Sequence, residues 1–187
     1  MIESAVAMGT TGKGASRSAV TDNERHQKLS QLWDRYARRL HAYACVLARS
    51  PSDAEDALQE CFLHASERIE RLADVRDAER YLFAMLRNEC LRGRRRWSRW
   101  WKHDAAVGAF RLEAADEAAA ADAGLVAADI ERAMAALPVE QREVIFLKVW
   151  QQKTFAEIAD LVGVGPNTAA SRYRYGIEKL RRELDES

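Results

Sequence analysis

The stretch "GVGPNTAASRYRYGIEKLRREL", Gly163 to Leu184, decides how this chain is read. Gly163 punctuates the end of an apolar segment, and Gly165-Pro166 opens a new helix, because proline suits a first turn where its missing N–H is not needed. Along that helix Ala169, Tyr173, Gly176 and Leu180 share one face by helical spacing and are expected to pack on Ile158 and Leu161 of the preceding helix. Asn167, Thr168, Ser171, Arg172, Arg174 and Tyr175 remain on the outward side near the N-terminus, the end that enters the major groove in helix-turn-helix proteins. Arginine pairs bidentately with guanine, while Asn, Thr and Ser reach bases or phosphates. A plain solvated helix pair has the same outline, so the choice depends on the rest of the chain.

Just upstream, Thr154 and Glu157 form a capping box that opens the helix ending at Gly163. Two more short helices precede it from Asp129, the first carrying Ile130, Met134 and Leu137. The second has Pro138 in its first turn and Glu140 and Glu143 near its positive end. Residues 104–128 are alanine-rich with five acids and a single arginine. They have helical propensity but few large apolar groups to pack, the composition of a flexible acidic linker.

Before the linker the pattern is helical again. Leu29, Leu32, Trp33, Tyr36, Leu40, Tyr43 and Leu47 recur at three- and four-residue steps. "SDAEDALQECFLHASERIERL" follows, capped by Ser52 or Asp53, with Leu58, Cys61, Phe62, Ala65, Ile69 and Leu72 as its buried stripe. "DAERYLFAMLRNECLR" adds Leu82, Met85 and Leu86 to the same core, and no alternating strand pattern occurs. Residues 1–26, rich in Gly, Ser, Thr and Ala, read as a disordered tail. The fold class is therefore all-α, with two small helical domains over 27–102 and 129–187 joined by the linker over 103–128.

Lys plus Arg equals Asp plus Glu at 29 each, so any basic surface arises from local segregation of charge. The strongest segregation is "LRGRRRWSRWWK", Leu91 to Lys102, where Arg92, Arg94, Arg95, Arg96, Arg99 and Lys102 stand without an acid around Trp97, Trp100 and Trp101. Cations bind phosphate, and aromatic rings stack on unpaired bases or tuck into a core. One domain suited to opened DNA and another suited to duplex DNA suggest action at two DNA sites. Cys45, Cys61 and Cys90 are widely spaced and lack metal-ligand or disulfide patterning, which fits a reduced cytoplasm. His26, His41, His64 and His103 are scattered and no phosphate loop of the P-loop form occurs, which speaks against an enzyme and against a metal or other cofactor. No apolar run approaches the roughly 20 residues that span a bilayer, so no membrane insertion is expected.

Three blocks, "YARRLHAYACVLARSPSDAEDALQECFLHASERI", "ERYLFAMLRNECLRGRRR" and "LPVEQREVIFLKVWQQKTFAEIADLVGVGPNTAASRYR", resemble in order and spacing the extracytoplasmic-function (ECF) sigma factors of bacterial RNA polymerase. The resemblance runs from residue 28 to 184 and implies a sigma region 2 helical bundle followed by a sigma region 4 helix-turn-helix. It implies core RNA polymerase and promoter DNA as partners, and relatives are commonly held by an anti-sigma protein. By position it makes Asp56, Gln59 and Glu60 the polymerase contacts. Tyr81, Asn88, Arg92, Arg94, Arg95 and Arg96 fall in the part that melts and captures the minus-ten element, with Asn88 at a pocket for a flipped base. Asn167, Thr168, Ser171, Arg172, Arg174 and Tyr175 fall in the helix that reads the minus-thirty-five element. Tyr81 replaces the family's usual tryptophan, Arg92 a common aspartate, and Ala170 a frequent lysine or arginine. The rival reading is a stand-alone helix-turn-helix regulator that never touches polymerase; it leaves the "DAEDALQECF" helix and the arginine-tryptophan block without a task.

Overall fold

A computed structural model describes the backbone of residues 22–69, 72, 78–98 and 122–185, with side chains for 23–69, 72, 78–93 and 127–185. Among the described residues there are seven long helical elements and no strand. Three form an N-terminal unit: α1 (Asp22–Leu47), α2 (Pro51–Glu67) and α3 (Ala78–Ser98). Four form a C-terminal unit: α4 (Asp122–Ala135), α5 (Val139–Val149), α6 (Phe155–Val162) and α7 (Pro166–Asp185).

Several helix starts differ from the sequence reading, each for a local reason. Helix α1 begins at Asp22 rather than Gln27. The acids Asp22 and Glu24 suit the first turn of a helix, and extending a formed helix costs far less than starting one. Helix α4 likewise begins at Asp122 instead of Asp129, taking in the alanine-rich end of the segment read as linker. The rest of the tail and of the linker lies outside the described residues. The cap of α2 is Ser50, not Ser52 or Asp53: its hydroxyl accepts from the Asp53 N–H at 3.1 Å, and Pro51 occupies the first helical position.

In the N-terminal unit α2 packs against α1 and α3. Leu40, Tyr43 and Leu47 of α1 meet Leu58, Cys61, Phe62 and Ala65 of α2 and Leu82, Phe83 and Leu86 of α3, all buried, and Ile69 and Leu72 close the same side. Each of the leucine, isoleucine and phenylalanine side chains among them contributes about 1.5–3 kcal/mol when fully removed from water. Trp33 belongs to the stripe only by one face: it is 46% exposed and rests on Phe62 with ring centroids 4.7 Å apart.

In the C-terminal unit Thr154 and Glu157 make the expected reciprocal cap. Gly163 ends α6 at φ 73°, in the left-handed region that glycine enters without a steric cost, and its N–H closes on the Ala159 carbonyl. Ala169 and Gly176 of α7 are buried, and Tyr173 meets Phe155 edge to face. Gly176 faces α5 rather than α6: a Cβ there would stand 2.8 Å from Ile145 Cδ1 and 3.2 Å from Gln141 Cβ.

Arg142 to Leu147 of α5 are buried all round, because α7 lies on one side of this helix and α1 on the other. The two units therefore touch. Glu143, expected to serve the helix dipole, instead accepts from the Tyr43 hydroxyl of α1 at 2.6 Å and from Arg87 Nε of α3 at 2.7 Å. Phe146 stacks on Tyr43 at 5.9 Å, and Tyr43 packs on Phe83 at 5.1 Å. Nearby, Glu79 of α3 accepts both guanidinium ends of Arg39 and the ammonium of Lys153.

Candidate nucleic-acid interface

Helix α7 begins with Pro166 immediately after the Gly163 turn, and the Thr168 and Ala169 N–H groups of its first turn close on the Gly165 carbonyl. Asn167, Thr168, Arg174 and Tyr175 are exposed and Ser171 is half-buried. At 100° per residue these five share one side of the helix, opposite buried Ala169 and Gly176. Arg172 stands at the flank of that side, between Thr168 and Gly176, and is half-buried. The Arg174 guanidinium lies over the Tyr175 ring at 5.0 Å and donates to the Tyr175 hydroxyl at 3.4 Å. The pair thus presents a cation with a ring beneath it, which suits a phosphate or a base edge equally.

On α3, Tyr81, Asn88 and Arg92 follow at steps of seven and four, which puts them on one stripe opposite the core-facing Leu82, Leu86 and Cys90. Asn88 and Arg92 are exposed, whereas Tyr81 is half-buried and its hydroxyl accepts from Arg68 at 3.2 Å. The Tyr81 ring is therefore tethered at its polar tip and packs in part against the core. Arg92 pairs with Glu89 at 3.0 Å, and the other partner of Glu89 is His64 of α2 at 3.3 Å. The Arg92 end of this pair stands in solvent while Glu89 is half-buried, so the guanidinium can leave it for a phosphate at small cost. The backbone of α3 continues helically through Arg94, Arg95 and Arg96, whose side chains lie outside the described residues, as do Arg99, Lys102 and the tryptophans of that block.

Asp56, Gln59 and Glu60 of α2 are all exposed and lie together at i, i+3 and i+4, backed by buried Ala57, Leu58 and Cys61. Asp53, Asp56 and Glu60 line one wall of a groove of about 600 Å³ whose far side carries Glu89 and Arg92. Leu63, one turn further on, is 58% exposed and gives this acidic face an apolar edge. The predicted polymerase face and the predicted minus-ten stripe thus adjoin across one groove. The face of α7 predicted to read the minus-thirty-five element lies on the other unit. Sequence reasoning missed the contact between the units, for which the one signal was the uninterrupted apolar run "VIFL", Val144 to Leu147 of α5, which has no polar side for a helix covered on one side alone.

Residues 32–101 match the family described as Sigma-70 region 2, and residues 127–180 match Sigma-70, region 4. The ECF RNA polymerase sigma factor SigL of Mycobacterium tuberculosis is 33% identical over 158 residues, which cover 83% of this chain and 88% of that protein. SigM of the same organism is 30% identical over 154 residues, 82% of this chain and 76% of that protein. Among solved structures, the sigma factor RpoE of Bartonella quintana, in complex with the anti-sigma factor NepR, superposes with a TM-score of 0.68 at 20% identity, covering 85% of this chain and 98% of that one. CnrH, in complex with the cytosolic domain of CnrY, gives a TM-score of 0.57 at 20% identity, covering 87% and 96%. These two carry the fold alone. With regions 2 and 4 matched in order and identity of 33% across most of SigL, the chain belongs to the ECF family of RNA polymerase sigma factors.

Proposed function

We propose that this chain binds core RNA polymerase and directs it to promoters through two separate DNA contacts, opening the duplex at one of them. The observation that carries the reading is the outward face of α7: polar and cationic side chains cluster at the N-terminal half of a helix whose other side is sealed by Ala169 and Gly176. Asn167, Thr168, Ser171, Arg172, Arg174 and Tyr175 read the minus-thirty-five element. Tyr81, Asn88 and Arg92, with Arg94, Arg95 and Arg96 following on the same helix, capture the minus-ten strand. Unstacking a base costs a few kcal/mol, offset by an aromatic surface, a pocket and cations along the backbone. Asp56, Gln59 and Glu60 dock on polymerase, supported by their common exposed face.

Residues 27–102 thus serve polymerase and the minus-ten element, 129–187 the minus-thirty-five element, and the segment between them connects the two. The chain is not an enzyme: polymerase performs the chemistry and this protein supplies binding energy. It acts in the cytoplasm, where polymerase and promoters are. Among the described residues no helix is long and apolar enough to cross a membrane. An anti-sigma protein as a further partner is supported by the complex of RpoE with NepR.

Transcription from randomised promoters with purified core polymerase tests the reading. Transcripts that require this chain and share two spaced upstream motifs are expected. DNA binding without any added transcript overturns it in favour of a stand-alone regulator.

A further inference from the structure

One exposed side-chain contact joins the end of α2 to the start of α3. Arg68 caps α2 with its backbone held on both sides: its N–H closes on the Ala65 carbonyl at 3.1 Å, and its own carbonyl accepts from the Leu72 N–H at 3.0 Å. Ala65, Ile69 and Leu72 around it are buried, so the base of this side chain is anchored in the core. The side chain itself is exposed, and its Nη1 donates to the Tyr81 hydroxyl at 3.2 Å. Among the described residues the guanidinium makes no ion pair, the adjoining Glu67 included.

Most of the donors of this pair are left over. A guanidinium carries its N–H groups in a planar fork, and a single one is used by Tyr81. The Tyr81 hydroxyl accepts that bond through a lone pair and keeps its own O–H to give; accepting from a cation polarises the O–H and strengthens it as a donor. A cation with unused donors and a polarised hydroxyl thus stand side by side, an arrangement suited to a group that only accepts and carries negative charge. Phosphate is such a group, and the arginine fork matches its oxygens bidentately. The position of the pair selects phosphate over a carboxylate, because Tyr81 shares its stripe on α3 with Asn88 and Arg92 and lies at the end away from Arg92. The family's usual tryptophan has an N–H and no acceptor, so it could not take the Arg68 bond; the pair is a property of this chain's own tyrosine.

We propose that Arg68 and Tyr81 form a binding site for one backbone phosphate of the minus-ten strand, with Arg68 supplying the charge, Tyr81 a second donor, and the bond between them fixing the position of both. The site rests on the minus-ten reading of α3 given above and adds to it a contact from the end of α2.

The test uses core polymerase loaded with the full chain, and the single-stranded minus-ten segment of a promoter selected by transcription from the randomised library. Phosphates of this strand are replaced one at a time by uncharged methylphosphonate, and affinity is titrated for the parent, Arg68→Ala, Arg68→Lys and Tyr81→Phe. Arg68 is exposed and Tyr81→Phe keeps the ring, so these variants are expected to fold and to bind core polymerase as the parent does. For the parent, one particular replacement is expected to lower affinity about tenfold. Arg68→Ala is expected to bind the unmodified strand about tenfold more weakly, with a salt slope lower by about 0.7, and to be indifferent to that same replacement. Tyr81→Phe is expected to lose less at the same phosphate, and Arg68→Lys, which keeps the charge without the fork, to restore the salt slope but not the full affinity. Identical methylphosphonate profiles for the parent and Arg68→Ala overturn the site and leave the sigma reading standing, and a Tyr81→Phe variant indistinguishable from the parent overturns the pairing. A loss of core binding in Arg68→Ala as large as its loss of strand binding overturns the site in favour of a polymerase contact. Failure of the parent to bind any such strand overturns the minus-ten reading itself, and the site with it.

Discussion

Glu143 of α5 accepts the hydroxyl of Tyr43 of α1 at 2.6 Å across 100 residues of sequence. Burial first, and then the neighbouring Glu143 charge and hydrogen bond, push the Tyr43 hydroxyl well above its ordinary range, so it remains a donor at any physiological pH. Tyr43→Phe keeps the ring stack on Phe83 and Phe146 and removes that donor alone. A hydrogen bond to a charged acceptor is worth about 1.5–3 kcal/mol, and Arg87 still holds the carboxylate, so a loss near 1.5 kcal/mol is expected. Urea unfolding of the two proteins reads it directly; an unchanged midpoint would show that the bond adds nothing to stability.

Acid should loosen the same interface through Glu79. Burial opposes ionisation of this carboxyl, but hydrogen bonds from Lys153 and Arg39, with their charges, outweigh it and hold the group below its ordinary value. Glu157 is also held low, by the Thr154 backbone N–H and then its hydroxyl, with Glu79 pushing weakly the other way. A folded-state value below the unfolded one means stability that is present above the unfolded value, about 4.3 for glutamate, and lost as pH falls through the folded value. The melting temperature is therefore expected to fall below about pH 4.5, and less steeply in Glu79→Gln. Both partners of Glu79 are partly solvated, which keeps its share to about 1 kcal/mol or less. Parallel acid profiles for the two proteins would remove Glu79 from the account.

Gly176 shows how tightly α7 is set on α5. Replacing glycine by alanine in a helix interior gains about 1 kcal/mol by propensity. Here the new Cβ would stand 2.8 Å from Ile145 Cδ1 and 3.2 Å from Gln141 Cβ, and Ile145 is only 1% exposed. The Ile145 tip can rotate but has little room to do so, and overpacking costs about 1–3 kcal/mol. Gly176→Ala is expected to be destabilising by up to about 1 kcal/mol and Gly176→Val by distinctly more. A melting temperature that rises in Gly176→Ala would mean the Ile145 contact yields freely.

The polymerase face can be separated from the DNA face by one double variant. Asp56 and Gln59 are exposed and make no part of the core, so Asp56→Ala/Gln59→Ala should fold as the parent does. Binding to core polymerase is expected to weaken by about tenfold or more, with promoter affinity of the chain alone unchanged. Pull-down titration with core polymerase beside a DNA shift assay measures both. Equal loss in the two assays would point to misfolding rather than to a contact.

How much of this was legible beforehand depends on the range over which each feature is determined. The stripe Leu58, Cys61, Phe62, Ala65, Ile69 and Leu72 is buried throughout as its spacing predicts, and the Thr154–Glu157 box and the Gly163 stop lie where their residue types require. These features are fixed within a turn or two of helix. Tyr81, Asn88 and Arg92 were singled out by the resemblance to ECF sigma factors alone, and their spacing on α3 puts them on one stripe. Glu143 was misread because its position in the first half of α5 suggests a dipole partner, and nothing within ten residues announces that Tyr43 and Arg87 will close over it. The cap of α2 was misplaced by two residues because Ser50, Ser52 and Asp53 are all able to cap, and Pro51 decides among them only once the chain is seen to turn there.

Arg172 and Arg174, alike in type, should differ in behaviour at the minus-thirty-five element. Arg174 is exposed on the outward face with its guanidinium over Tyr175, whereas Arg172 is half-buried at the flank. An arginine that touches a base edge contributes about 1–3 kcal/mol and its loss relaxes preference at that base pair; one that touches phosphate weakens all sequences alike and lowers the salt slope by about one. Arg174→Ala is expected to cost about 1–3 kcal/mol with relaxed sequence preference, and Arg172→Ala to cost a similar amount evenly across sequences. Tyr175→Ala removes the ring beneath the guanidinium, so the double variant Arg174→Ala/Tyr175→Ala should cost less than the two single losses together, as expected for residues in contact. Titrations of each variant against a promoter and a scrambled duplex at several salt concentrations separate the two behaviours. Unchanged affinity in both arginine variants would remove α7 from promoter reading altogether.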